Sequence, residues 1–541
     1  MNKIAILLLG CTILIIVSAL FLPSLKNDFV NWDDDRYVIE NTLIRAISFE
    51  NLKNIFTTFY MGNYHPLSIL SYALDYHFFK LRPFGYHLTN LFLHLLNCIL
   101  VFLVIYMLSR SLPAAFITAI LFGLHPLQVD SVAWVSERKG LLCVAFFLCA
   151  IITYIRYAGK NQESKYYYLS LLFFTFALLS KPMAVTLPLV LLVLDYFINV
   201  RGGKNIFIEK IPFFILAALF LIISVFSQGS AGAIRAESTN WLDKFMIASY
   251  CIIFYLSKIF LPVRLSCLYP YPRIMNSLPF IFFASFLICC LLIVLVFWIS
   301  RHSKKIVFFC ALFLATILPA IQFVPVGAAM VSSRYAYLPL VWISYALATG
   351  FLWLYARKLK YARLVRIFLL AILLSVTGIL SVLTSNRIKV WKDGLSLWSD
   401  CLNYYPNIAT AYNSRGTIFL KKGEYDRAYS DFKEAIKIGH NEYHMYKGQI
   451  YYSMDLLYAT VNLANVYNAL GKRKDAIATL EKAIAINANY EDAYFNLGNI
   501  YYSMGAKDKA IELYKKAVEI NPNLIYRLNS DCLESLKNEY R

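Results

Sequence analysis

Apolar runs of roughly twenty residues follow one another from the N-terminus to residue 384, and none comes after. In a helix, a run of that length crosses a hydrocarbon core of about 30 Å. The runs lie near 4–22, 87–108, 113–129, 141–157, 166–180, 183–199, 211–227, 279–300, 306–322, 336–356 and 364–384, mostly bounded by charge, Pro or Gly, and predict about eleven spans. At 59% hydrophobic and 16% aromatic, the chain holds more apolar mass than a soluble core takes up. The expected class is all-α: a polytopic membrane helix bundle, then a second part of different character.

Lys3 before the first apolar run resembles a secretory leader, but no small-x-small cleavage site precedes Leu22-Pro23, so an uncleaved first helix is expected. The net charge of +20 does not point to nucleic acid, because the excess Lys and Arg crowd short loops between spans. The loops with Arg156/Lys160/Lys165, Arg201/Lys204/Lys210, Arg301/Lys304/Lys305 and Arg357/Lys358/Lys360/Arg363/Arg366 are expected to face the cytoplasm with Lys3. That assignment holds if 245–262 lies in the interface or re-enters rather than crossing; a true twelfth span with one inverted loop is the alternative. Segments 23–86, 125–140, 228–278, 323–335 and everything after 385 then lie outside. Most of the eleven cysteines sit inside apolar runs without metal-ligand spacing, and only Cys267, Cys401 and Cys532 fall elsewhere, so no disulfide framework and no metal site is expected.

The second part repeats itself. Residues 458–491 and 492–525 match at Ala459/Ala493, Asn462/Asn496, Leu463/Leu497, Tyr467/Tyr501, Gly471/Gly505, Ala476/Ala510 and Ala483/Ala517, every pair 34 apart. An earlier copy near 409–441 carries Gly416, Gly423, Ala428 and Ala435 in the same relative places, with 14 additional residues before the next copy. This period and spacing are those of a tetratricopeptide-repeat α-solenoid, whose stacked helix pairs hold peptides or partner proteins. The expected domains are 1–384 for the bundle, 385–407 for an entry segment and 408–541 for the repeats.

Chemistry is sought on the outer side. The first outside loop carries Phe29-Val30-Asn31-Trp32-Asp33-Asp34-Asp35-Arg36 a few residues beyond a span. A carboxylate there is a simple general base for an acceptor hydroxyl. A solvated acidic turn capping the next helix is the plainer reading, which Phe29 and Trp32 weaken. His65 precedes Pro66 on what reads as an exposed loop and is a site candidate. His87, Asn90 and His94 share one helical face, where interhelical hydrogen bonding is favoured over catalysis. Cations stand at membrane edges in Glu137-Arg138-Lys139, Ser180-Lys181-Pro182 and Ser333-Arg334-Tyr335. Brought together they would clamp a lipid-linked phosphate; taken singly they read equally well as snorkelling side chains.

In this order, Phe-Val-x-Trp-Asp-Asp, Asn41, His-Pro-Leu, Gly-Tyr-His-Leu-Thr-Asn-Leu-x-Leu-His, Glu-Arg, Ser-Lys-Pro, Ser-Arg-Tyr-x-Tyr-Leu-Pro and the terminal repeats resemble the transmembrane and tetratricopeptide-repeat O-mannosyltransferases and their prokaryotic relatives. The resemblance covers nearly the whole chain and implies a GT-C-like bundle that uses a polyprenyl- or dolichyl-phosphate sugar. It implies Asp33 and Asp34 as the catalytic acidic pair and Arg138 and Arg334 at the lipid phosphate, and His65 and Lys181 join them as phosphate-binding candidates read from the residues themselves. His65 departs from the Arg that eukaryotic members usually carry before Pro. No second carboxylate cluster pairs with the acidic loop, so the resemblance leaves a divalent cation open.

Three functions remain at this stage. The first is an inverting transferase moving a sugar, mannose foremost, to a hydroxyl on a protein delivered by the repeats, with membrane lipids around it and no nucleic-acid partner. The second keeps the fold but glycosylates a lipid or surface glycan. The third is a non-catalytic scaffold. The expected location is the bacterial inner membrane with the repeats outside, or the endoplasmic reticulum membrane in a eukaryote.

Overall fold

The structure is a computed structural model describing residues 3–159, 163–198, 206–230, 240–271, 278–323, 329–358, 361–440, 443–446 and 449–528. Lys160, Arg201, Lys204 and Lys360 of the basic loops, and Cys532, lie outside the described residues. The chain divides into two compact units, Met1–Asp393 and Gly394–Arg541.

The first unit opens with α1 (Lys3–Phe21), followed by a long connection carrying α2 (Phe49–Thr57) and α3 (Pro66–Phe79). Then come α4 (Pro83–Ser109), α5 (Leu112–Gly123), α6 (Val129–Ala133), α7 (Arg138–Tyr157), α8 (Ser164–Ser180), α9 (Leu187–Ile198) and α10 (Ile211–Ser230). It closes with α11 (Trp241–Phe260), α12 (Phe280–Ser300), α13 (Lys304–Ile317), α14 (Pro339–Tyr355) and α15 (Ala362–Val390). Each of the eleven expected spans falls on a helix. Among the described residues six are long and apolar enough to cross a membrane, beginning at Lys3, Pro83, Val135, Ile208, Phe280 and Ala362. The bent pair α5–α6 makes a seventh. The remaining shortfall from eleven lies in α8, α9, α13 and α14, which are 12 to 17 residues long. Along α12, Phe280, Leu291, Val294, Phe297 and Trp298 point outward. That much outward apolar surface is stable against lipid, so this is an integral membrane protein.

Two features shape the end of the bundle that matters here. Between α5 and α6 the chain bends by 57° at His125-Pro126. Proline cannot donate to the preceding turn. His125 fills the gap by accepting from Leu127 N at 3.2 Å and reaching Ile259 O at 2.9 Å. The bend lays α6 across the bundle end and delivers residues 134–138 there. The second feature is α11, one unbroken helix, which excludes a re-entrant turn at 245–262. Its start meets this end, with Trp241 6.3 Å from Phe323. Its last turn meets the same end through Ile259 and His125, while its middle stacks Tyr250 on Phe282 in the first turn of α12, 4.5 Å apart. Both ends of this helix therefore reach the same end of the bundle, and it packs on α12, where Cys289 Sγ lies 3.6 Å from Ser249 O. A short ladder, β1 (Tyr269–Pro270) with β2 (Ala329–Val331), also sits there.

The second unit consists of α16 (Gly394–Tyr404) and three helix pairs: α17 (Ala409–Lys421) with α18 (Tyr425–His440), α19 (Met454–Ala469) with α20 (Arg473–Ile486), and α21 (Glu491–Ser503) with α22 (Lys507–Ile520). Gly416 and Gly498 are small for a reason: a Cβ there would lie 2.8 Å and 2.7 Å from the rings of Phe432 and Tyr514 on the paired helix. The insertion between the first two copies forms an antiparallel hairpin, β3 (Tyr443–Tyr446) with β4 (Gln449–Tyr452). Within 385–407, α15 takes the first residues and α16 most of the rest.

Candidate active site

The acidic loop is anchored, not solvated. Asp34 is 1% exposed, and both carboxylate oxygens are engaged. One accepts from Val30 N at 3.0 Å; the other accepts from Ser136 N at 2.9 Å and from the Ser136 hydroxyl. Burial pushes the Asp34 carboxyl up to about 7 despite those bonds, and the neighbouring charge of Asp33 adds to the rise. Asp33 is half-buried, and its charge is felt by Lys139 and Arg334. Asp34 thus ties the loop to residue 136. The expected helix-capping turn is not formed, since Asp34 makes no side-chain cap bond.

Asp34 makes stability depend on pH in a stated direction. Its folded value lies above the unfolded 3.8, so the folded state keeps a proton that the unfolded state has lost. Stability from this group is therefore full below about 4 and falls as pH rises through about 7. Thermal unfolding of the wild type should lose midpoint over that window. Asp34→Asn should be less stable in the acid range yet flatter with pH, and an unchanged slope would refute the assignment.

The cations gather around one carboxylate. Glu137, at the start of α7 and fully buried, pairs with Lys181 Nζ through Oε1 and with Arg334 Nε through Oε2 at 3.5 Å. The Arg334 guanidinium lies 5.0 Å from the Trp134 ring and 5.6 Å from that of Trp32, and these two indoles stack at 4.6 Å. Lys139 Nζ stands over the Tyr37 ring at 4.8 Å. Lys181 and Arg334 line a small cleft with apolar side chains that include Val144 and Phe147 of α7 and Leu338 and Pro339 at the start of α14.

Not every expected residue joins this cluster. Arg138, 0% exposed, turns the other way: it pairs with Asp75 of α3, donates to Asn90 Oδ1 at 2.8 Å and to Tyr86 O at 2.7 Å, and stacks on Tyr72 at 4.8 Å. Adjacent residues on a helix point about 100° apart, so Arg138 and Lys139 cannot both face the cleft. Lys139, read in the same Glu-Arg-Lys run, lies in the field of Glu137 and Arg334. His65 is buried at 4%, which corrects its reading as an exposed loop residue. Its Nε2 lies 3.2 Å from the Tyr37 hydroxyl. Burial, with the fields of Lys139 and Lys181, pushes it well below its usual range, so the ring is neutral near pH 7. His94 bonds the Tyr337 hydroxyl at 2.7 Å and approaches Gly123 O at 3.3 Å, as interhelical bonding requires. Asn41 accepts from Leu43 N and is a local cap. Among the described residues no three His, Cys, Asp or Glu side chains converge as a metal site.

Residues 77–227 match the family model described as dolichyl-phosphate-mannose-protein mannosyltransferase. Human protein O-mannosyl-transferase TMTC3 is 29% identical over 158 residues, 27% of this chain and 17% of that protein. Drosophila melanogaster Tmtc1 is 33% identical over 188 residues, 33% of this chain and 21% of that protein. Caenorhabditis elegans protein O-mannosyl-transferase F38B6.6 is 24% identical over 468 residues, 79% of this chain and 62% of that protein. The chain is similar to these TMTC proteins over those stretches. Its matches span about a fifth of the length of the human and fly relatives. Among solved structures, ArnT from Cupriavidus metallidurans, bound to undecaprenyl phosphate, is 11% identical over 74% of this chain and 80% of that one, with a TM-score of 0.39.

Proposed function

We propose that this TMTC-like chain is a membrane glycosyltransferase that moves a sugar, mannose foremost, from a polyprenyl-phosphate donor to a hydroxyl on a protein at the extracytoplasmic face. The observation that carries the reading is Lys181 and Arg334 lining a cleft with apolar walls, with the charges of Lys139 and Asp33 felt at Arg334. A lipid phosphate seats on the cations, and its chain follows the cleft between α7 and α14. Asp33 takes the proton of the acceptor hydroxyl, whose oxygen attacks the anomeric carbon. The bond from that carbon to the phosphate oxygen breaks, its electron pair stays on the phosphate, and the cations stabilise the charge as it develops. One displacement inverts the anomeric configuration. Asp34 positions the loop, and His65, neutral, supports Tyr37.

The outer placement rests on the bundle itself. Asp34 bonds Ser136 and Arg334 pairs with Glu137 at the N-terminal end of α7, whereas Arg156 and Lys165 stand at the opposite end of α7 and at the start of α8, the cytoplasmic end by the positive-inside rule. A bacterial inner membrane, with the repeats presenting the protein acceptor, completes the proposal. A scaffold that only anchored repeats would have no use for three cations converging beside an acid.

The test is donor binding by the full chain in nanodiscs. Titration with polyprenyl-phosphate mannose should give saturable binding, and Lys181→Ala with Arg334→Ala should weaken it by about a hundredfold, as expected on losing two charge-assisted contacts. No binding by the wild type, or unchanged affinity in the double variant, would remove the reading.

A further inference from the structure

Glu137 raises a question that transfer alone does not answer: why a buried carboxylate sits among the cations meant for a phosphate. Its contacts are unequal. Oε1 is held by Lys181, whereas Oε2 meets Arg334 Nε at 3.5 Å, within ion-pair range but beyond a hydrogen bond. The carboxylate is also packed tightly, since a Cβ on Gly140 would lie 2.5 Å from Oε1. Arg334 is therefore drawn by Glu137 without being saturated by it. The guanidinium is steadied by Trp134, Trp32, Tyr335 and Ser332 and can turn its donors to another anion.

The two lipids that would visit this seat differ in charge. The donor is a phosphodiester with one negative charge, and the spent carrier is a phosphomonoester carrying about −1.5 to −2 at neutral pH. An uncompensated set of three cations would hold the product more strongly than the substrate and stall after one turnover. We infer that Glu137 is a positioning residue that sets donor-over-product selectivity, its fixed negative charge lowering the field so that the monoester leaves. The inference rests on the phosphate-seat reading and adds how that seat discharges its product. A carboxylate that only propped up Lys181 and Arg334 would affect both lipids alike.

The experiment measures the affinity of the full-length protein for polyprenyl phosphate and for polyprenyl-phosphate mannose, from pH 5 to 8. Glu137→Gln should tighten the monoester relative to the diester by about tenfold at pH 8, where the extra phosphate charge meets an uncompensated field. The gain should vanish at pH 5, where the two lipids carry similar charge. Glu137→Asp, which keeps the charge, should retain the wild-type ratio, and thermal unfolding confirms that both variants fold. Equal weakening of both lipids, or a ratio that does not move with pH, would overturn the inference while leaving the phosphate seat standing. Failure of the wild type to bind either lipid would instead remove the seat itself, and this inference with it.

Discussion

Asp33→Asn is expected to reduce sugar transfer by about a thousandfold while leaving the bundle folded and donor binding near normal, the scale set by losing a general base. Asn keeps the shape of the side chain and loses the lone pair that takes the acceptor proton. Nothing in the loop depends on Asp33 for its conformation, because the anchoring bonds belong to Asp34: Val30 N, Ser136 N and the Ser136 hydroxyl. Asp34→Asn should also lower transfer, but through a loosened loop and with a shifted unfolding profile. Assayed by mannose transfer from polyprenyl-phosphate mannose, the two variants separate base from anchor. Residual activity within tenfold of wild type in Asp33→Asn would move the base elsewhere, and a normal melt alongside a thousandfold loss in Asp34→Asn would exchange the two roles.

What the sequence reveals depends on the range over which a signal acts. Spans are written locally, in runs whose length is matched to a bilayer, and every expected run lies on a helix. The repeats are equally local: Gly416 and Gly498 are dictated by a ring on the paired helix of the same hairpin. The acidic loop and the cations could be picked out because charge at a membrane edge is costly wherever it occurs. Their partners could not. Asp34 and Ser136 are 102 residues apart, and no periodicity connects them. His65 looked exposed because it precedes a proline on a loop, and it is covered only because residues 29–44 fold back over it through Tyr37. Which member of Glu137-Arg138-Lys139 faces the cleft depends on where α7 starts, a boundary that composition does not fix to one residue. The position of α11 follows from contacts at both its ends, which an apolar run does not encode.

Arg138 is where that difference matters most. Removing it should destabilise the protein by about 3–5 kcal/mol, the usual cost of stranding one partner of a buried ion pair. Its guanidinium joins three elements: Asp75 from α3, Asn90 and the Tyr86 carbonyl from α4, and its own helix α7. Without it, Asp75 keeps the Thr89 hydroxyl at 2.7 Å but holds an uncompensated charge in a site 5% exposed. Arg138→Met should therefore express poorly and melt far below the wild type. Combining it with Asp75→Asn, which removes the stranded charge, should restore a large part of the loss. A phosphate ligand behaves otherwise: its removal weakens donor binding and leaves the melt nearly unchanged, and neutralising Asp75 restores nothing. If Arg138→Met folds normally and loses only polyprenyl-phosphate mannose affinity, the guanidinium must leave Asp75 for the lipid during the cycle. If stability falls and returns with the second substitution, Arg138 holds the first loop to the bundle, and Lys139, Lys181 and Arg334 carry the phosphate among them.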